Sequence, residues 1–293
     1  MNAAIEATSL SILIGGKRLL DDVSLSIGAG EMVALVGTNG AGKTTLLRAL
    51  SGEIAASRGS VRLKGDDPRS YHPRELALHR AVLSQAITVA FPFSVADIVR
   101  MGAGERRGLA VESLVDQALD QVDLQGFRER IIGSLSGGEQ QRVHFARILV
   151  QVACGEIARG PGIMLLDEPT SSLDLRHQID LVAAARQCAA RGVTVIAILH
   201  DLNLAALFAK RIAVLSNGRL AADGPPGQAI NDRMLRDAFG VTDAVGRVPD
   251  GDTPFVLPHF ARKASGTTIG CTSKPLPEIE PPQEQSPPGQ DVE

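Results

Sequence analysis

Polar and apolar positions alternate through IEATSLSIL and again through DDVSLSIGAG, and EMVALVG follows as an almost wholly apolar run. The spacing predicts three short strands punctuated by Gly or Asp. KTTLLRALSG then predicts a helix ending at Gly52, GSVRLKG a strand, PRELALHR a short helix and AVLSQ a further strand. From Phe93 to Gln125 the period turns helical. VADIVRMG and VESLVDQALDQVDL carry apolar residues at i, i+3 and i+4, and GGEQQRVHFARILVQVA continues as a long helix. Residues from about Ala86 to Gly133 read as a helical insertion; with the helix after it, a helical subdomain is expected over about residues 86–150. GIMLLD and VTVIAILH are apolar throughout, as strands buried on both faces of a parallel sheet must be. RHQIDLVAAARQCAAR and DLNLAALFAK supply helices around them, and RIAVLSNGRLAADG reads as a hairpin turned by Asn217-Gly218. The expected class is α/β with a parallel sheet core.

Composition narrows this only modestly. A chain of 293 residues with 44% hydrophobic residues can bury a substantial core. A net charge of −3 argues against a nucleic-acid partner, and 3% aromatic residues with no Trp leave few stacking platforms for bases. The cysteines, Cys154, Cys188 and Cys271, are odd in number and lack CxxC spacing, so neither a disulfide framework nor a zinc site is expected. The first residues lack the basic and apolar regions of a secretory leader, and no run reaches the ~20 apolar residues of a membrane helix. A chain that stays out of the bilayer, yet can dock on a membrane, is expected. Beyond Phe260 the sequence is rich in Pro, Glu and Gln; residues 261–293 are expected to be a disordered, inert tail after a folded unit over residues 1–260.

Chemistry concentrates in a few places. Gly37, Thr38, Asn39, Gly40, Ala41, Gly42, Lys43, Thr44 and Thr45 match G-x-x-x-x-G-K-[ST] between an apolar strand and a helix. In that setting backbone N–H groups wrap phosphates, Lys43 reaches the β- and γ-oxygens of ATP, and Thr44 ligates Mg²⁺. Asp167 and Glu168 follow a buried strand, at the sheet edge where ligands gather. Asp167 is expected to hold Mg²⁺ and Glu168 to polarise the attacking water, although a lone carboxylate there serves a turn equally well. Gln85 and His200 end two other strands on the same edge, where they can sense γ-phosphate, Mg²⁺ and water. Singly, each is an ordinary polar strand end.

A second anion nest is written into LSGGEQQRVHFA, where Ser136, Gly137 and Gly138 open a helix with free N–H groups. One active site has no use for two nests from the same chain. A head-to-tail dimer does: each nest caps the γ-phosphate held by the other chain's loop, and two ATP molecules are sandwiched. The ordered set Gly37–Thr45, Gln85, Leu135–Gln140, Ile163–Glu168, Ser171–Asp174 and His200 resembles the ATP-binding subunit of ABC transporters, over roughly Ile5 to Phe260. The resemblance implies a P-loop NTPase fold, an ABC ATPase core with an antiparallel β subdomain and a helical subdomain. It also implies that Gln85 links Mg²⁺ to a membrane subunit, that Ser171–Asp174 crosses between protomers, and that His200 is a switch residue.

One nucleotide-binding domain without a membrane span matches the bacterial importers. LLDEPTSSLDLRHQIDL and AILHDLNLAALFA resemble the branch for iron-siderophore, vitamin B12 and haem uptake. RAVLSQAITVAFPFSVADIVRMG, the VACGEIARGPG insertion and VGRVPDGDTPFVLPHF are most similar to haem importer ATPases. That likeness implies a homodimer, two permease subunits, a periplasmic haem-binding protein acting indirectly, and a peripheral position on the cytoplasmic face of the inner membrane. Siderophore or cobalamin import is the neighbouring reading; a soluble ABC ATPase of translation or repair is disfavoured by the single domain and the acidic balance. Phe91 and Phe93 either fill a loop core or shape a groove for the permease. The six histidines show no spacing for a haem or metal site. Ile14 stands where an aromatic residue usually stacks on adenine in this family, so a packing contact with less stacking is expected there.

Overall fold

A computed structural model of the chain describes residues 3–85, 89, 91–249 and 253–260. Its first two strands, β1 (Ala3–Ile14) and β2 (Lys17–Gly28), are longer than the alternation alone predicts. They meet in a hairpin at Gly15-Gly16, both at positive φ, with Ile14 opposite Lys17. With β4 (Arg58–Leu63) on the other edge of β1 they form an antiparallel sheet in the order β2-β1-β4.

The larger sheet has the order β5-β6-β7-β3-β8-β9. It comprises β3 (Met32–Val36), β5 (Arg80–Leu83), β6 (Ile163–Asp167), β7 (Thr194–Ile198), β8 (Arg211–Ser216) and β9 (Arg219–Gly224). All neighbours are parallel except β8 and β9, which form the hairpin predicted at Asn217-Gly218, both residues at positive φ. Every residue of β6 and β7 is buried. The strand period of two explains how: Val33, Leu35, Leu165 and Ile196 face a core shared with the antiparallel sheet, whereas Ala34, Val36, Leu166 and Ala197 face a core shared with helices.

The helices are α1 (Lys43–Leu50), α2 (Pro73–His79), α3 (Val95–Arg100), α4 (Leu109–Gln121), α5 (Gly137–Arg159), α6 (Leu175–Ala190) and α7 (Leu202–Phe208), with short helical turns between them. Among the described residues no helix is long and apolar enough to cross a membrane. Val111, Leu114, Val115, Ala118 and Leu119 of α4 are buried in the helical core together with Val143, Phe145 and Leu149 of α5. Arg100 and Arg128 clamp Glu112 at the outer rim; the hydrogen bond from Arg100, with help from Arg128, lowers the Glu112 carboxyl to about 2.

The tract VACGEIARGPG completes α5, which runs on to Arg159 and stops at Gly160, with φ 73°. Two expectations need correction. Gln85 and His200 do not end strands: β5 stops at Leu83 and β7 at Ile198, so each lies two residues beyond. Asp167 is itself the last residue of β6. The expected start of the helical insertion, at Ala86, and the tail over residues 261–293 with Cys271, lie outside the described residues. Cys154 and Cys188 are buried free thiols.

Candidate nucleotide-binding site

Because β3, β5, β6 and β7 run parallel, the segments that leave them emerge on one edge of the sheet. The loop after β3 is shaped by backbone contacts that exclude side chains. At Gly37 (φ 148°) an added Cβ would lie 2.2 Å from the Leu215 carbonyl oxygen; at Gly42 (φ 101°) it would lie 2.8 Å from that of Leu19. Gly42 also precedes α1 and offers no side-chain cap, so the first N–H groups of the helix stay open to an anion.

Lys43 is buried, and its Nζ donates to the carbonyl oxygens of Gly37 at 2.8 Å and Thr38 at 2.9 Å. Burial lowers its pKa; the nearby carboxylates of Glu168 and Asp167 oppose the shift. Thr44 Oγ1 donates to Asp167 Oδ1 at 3.2 Å. Burial raises the Asp167 pKa, against the Thr44 hydrogen bond and with the Glu168 charge. Glu168 adopts a left-handed backbone (φ 50°), uncommon for a non-glycine residue. Its carboxylate is held from both sides: Oε2 accepts from Gln85 Nε2 at 2.8 Å, and Oε1 lies 2.6 Å from His200 Nε2.

Of the residues read from the sequence, Asn39, Gly40, Gly42, Lys43, Thr44, Thr45, Gln85, Glu168 and His200 line one cleft of about 630 Å³. Gly37 and Thr38 back the lysine, Ala41 is buried, and Asp167 lies beneath Thr44. Ile14 does not line the cleft; it is 51% exposed at the end of β1. Lys17 and Leu19 line it instead, both missed from the sequence. The one available hint was Gly42, whose lack of a side chain accommodates the Leu19 carbonyl.

Ser136, Gly137 and Gly138 lie outside this cleft, at the start of α5. There Ser136 and Glu139 form a reciprocal capping box: the Ser136 N–H and hydroxyl both donate to Glu139 Oε2 at 2.7 Å, and the Glu139 N–H donates to Ser136 Oγ. These bonds, the Ser136 hydroxyl foremost, lower the Glu139 pKa. Gly138 packs against the segment after β6, where an added Cβ would meet the Ser172 carbonyl oxygen at 2.7 Å. Phe91 is 69% exposed, with Phe93 half-buried beside it and the rings edge to face at 6.1 Å.

Among the described residues no three acidic, imidazole or thiol side chains converge as a metal cage. The Thr44 hydroxyl and Asp167 carboxylate do fit Mg²⁺, which takes hard oxygen donors and draws its other ligands from substrate phosphates and water. A cation there would also offset the burial of Asp167.

A parallel sheet with a glycine-rich phosphate loop, a buried lysine and paired carboxylates at its carboxyl edge defines a P-loop nucleoside-triphosphate hydrolase. The chain belongs to the ABC transporter family, whose model matches residues 20–171. It is 60% identical over 265 residues to the hemin import ATP-binding protein HmuV of Bradyrhizobium diazoefficiens, covering 90% of this chain and 98% of that protein. HmuV of Rhodopseudomonas palustris strain BisA53 is 57% identical over 262 residues, covering 89% and 97%. Among solved structures, an ATP-bound bacterial Atm1-family ABC exporter matches with TM-score 0.67 at 27% identity, over 81% of this chain and 40% of that one. An ATP-binding subunit of an ABC transporter matches with TM-score 0.68 at 23% identity over 82% and 95%, a likeness of fold.

Proposed function

We propose that this protein is the ATP-hydrolysing subunit of a bacterial importer that drives haem through a separate permease. For hydrolysis, the carrying observation is Glu168 held between Gln85 and His200 beside the loop lysine. For the cargo, it is near-full-length identity to hemin import ATP-binding proteins.

The residues divide the work. N–H groups of the loop and of α1 take the phosphates of ATP, and Lys43 exchanges its two carbonyl partners for phosphate oxygens. Its partial desolvation strengthens that exchange, because a buried cation without a full counter-charge gains most from an anion. Thr44 and Asp167, with Gln85 lining the same cleft, would hold Mg²⁺, which when bound would neutralise phosphate charge. Glu168 orients water and accepts its proton; Gln85 and His200 fix the carboxylate so that no reorientation is needed during attack. Lys17 and Leu19 line the cleft that receives the nucleotide, and Ile14 lies outside it.

Two copies assemble head to tail, each presenting Ser136, Gly137 and Gly138 to the other's nucleotide; the seclusion of the nest from its own cleft supports this. Exposed Phe91, and a concavity of about 650 Å³ in which Met101 and Leu78 sit beside Arg106, Arg107 and the Arg74–Glu105 pair, offer the permease an apolar and polar contact. The chain then works on the cytoplasmic face of the inner membrane, and a periplasmic protein delivers haem to the permease. Reconstitution in proteoliposomes with a haem permease tests the reading. ATP-dependent haem uptake is the expected result; uptake of a siderophore or cobalamin in its place would overturn the cargo.

A further inference from the structure

The first turn of α6 joins parts of the molecule that are far apart in sequence. Asp174 caps this helix: its Oδ1 accepts from the His177 N–H at 2.9 Å and lies 2.8 Å from the ring Nδ1. The ring is thereby oriented with Nε2 3.9 Å from Asp123 Oδ2, and Arg176 Nη2 donates to the same oxygen at 3.0 Å. Asp123 follows α4 on a left-handed backbone (φ 57°). Arg142 of α5 donates to the carbonyls of Val122 and Asp123 at 2.8 and 3.0 Å. Gln178 donates back to the Leu173 carbonyl at 3.0 Å, and Val122, Phe145, Leu173 and Leu181 are buried beneath. On the facing side Gly138 abuts Ser172.

The start of α5, the segment Ser171–Asp174 and the Asp123 loop therefore meet at one joint. Its polar rim is exposed, and exposed ion pairs add little to folding stability. Their effect falls on relative position, because Asp123 ties the loop after α4 to Arg176 and His177 in the first turn of α6. We infer that Asp123, Arg176 and His177 are positioning residues that hold the anion nest and the Ser171–Asp174 segment as one docking unit, offered to a second copy of this chain. The inference rests on the head-to-tail reading above.

The test uses the full chain with Asp123→Asn, Asp123→Arg, Arg176→Gln and the exchange Asp123→Arg/Arg176→Asp. Melting temperature checks folding, and binding of a fluorescent ATP analogue to the monomer checks the cleft. Monomer affinity should stay within about twofold, since no altered residue lines the cleft. The neutral variants should lower kcat about twofold to fivefold, as exposed pairs do when lost. Asp123→Arg should lower kcat and ATP-driven dimerisation by about tenfold, because it sets like charges together. The exchange should restore most of that loss. Wild-type kcat in all single variants, or no recovery in the exchange, overturns the clamp. A wild-type chain that neither dimerises on ATP nor hydrolyses it overturns instead the reading beneath it.

Discussion

At the scale of single residues, the proposed role of Glu168 makes Glu168→Gln the variant that should separate binding from hydrolysis. Lys43, Thr44 and Asp167 remain, so ATP should bind with near-normal affinity, while turnover falls about 10²–10⁴-fold with the base removed. Single-turnover phosphate release measures it, and wild-type turnover would remove Glu168 from the mechanism. His144 makes a second prediction. It is 4% exposed on α5, neither ring nitrogen has a hydrogen-bond partner among the described residues, and burial lowers its pKa from 6.5 to about 4. The unfolded chain takes up that proton first as pH falls. The stability from the neutral ring is therefore full above about 6.5 and is lost between there and about 4. His144→Leu should flatten the fall in melting temperature across that window; an unchanged pH profile would refute it. The phosphate loop was legible because its glycines, lysine and hydroxyl stand in contiguous order, even though the backbones that require Gly37 and Gly42 belong to distant Leu215 and Leu19. Lys17 and Leu19 were not, because their place depends on a hairpin register set by Gly15-Gly16.

Among the elements, α5 is where sequence reading fell short, and the reason is physical. Gly155 looks like a helix breaker, yet an added Cβ there would lie 2.4 Å from the Leu78 carbonyl oxygen. The glycine answers to the close approach of α2, and the helix continues through it. Gly138 at the other end faces the same constraint from Ser172. In Gly138→Ala, better helix propensity gains at most ~1 kcal/mol, whereas pressing a methyl into fixed backbone costs ~1–3 kcal/mol. The substitution should lower the melting temperature slightly and impair ATP-driven dimerisation while monomer nucleotide binding survives. Full dimerisation by light scattering would show that the contact can yield. The central strands β6 and β7 were readable because burial on both faces leaves polar residues only at their ends, Asp167 and Thr194.

At the scale of the whole molecule, ATP should act as an assembly ligand. Glu168→Gln with ATP should double the scattering mass, and Ser136→Arg, which puts bulk and positive charge into the nest, should stay monomeric while still binding nucleotide. A monomer in both cases would contradict the sandwich. The capping box at the head of α5 adds a condition on that assembly. The Ser136 N–H and hydroxyl at the mouth of the nest are already occupied by an anion of its own, the Glu139 carboxylate, kept charged by the donors it occupies. A carboxylate tethered this closely competes at an effective concentration on the order of millimolar or above. Stray phosphate at lower concentration is therefore a poor rival. On the head-to-tail reading, a phosphate delivered by a facing subunit, itself held at high local concentration, is the rival that dislodges the tethered group. On that reading the Glu139 carboxylate is a built-in antagonist that favours a docked partner over loose anions.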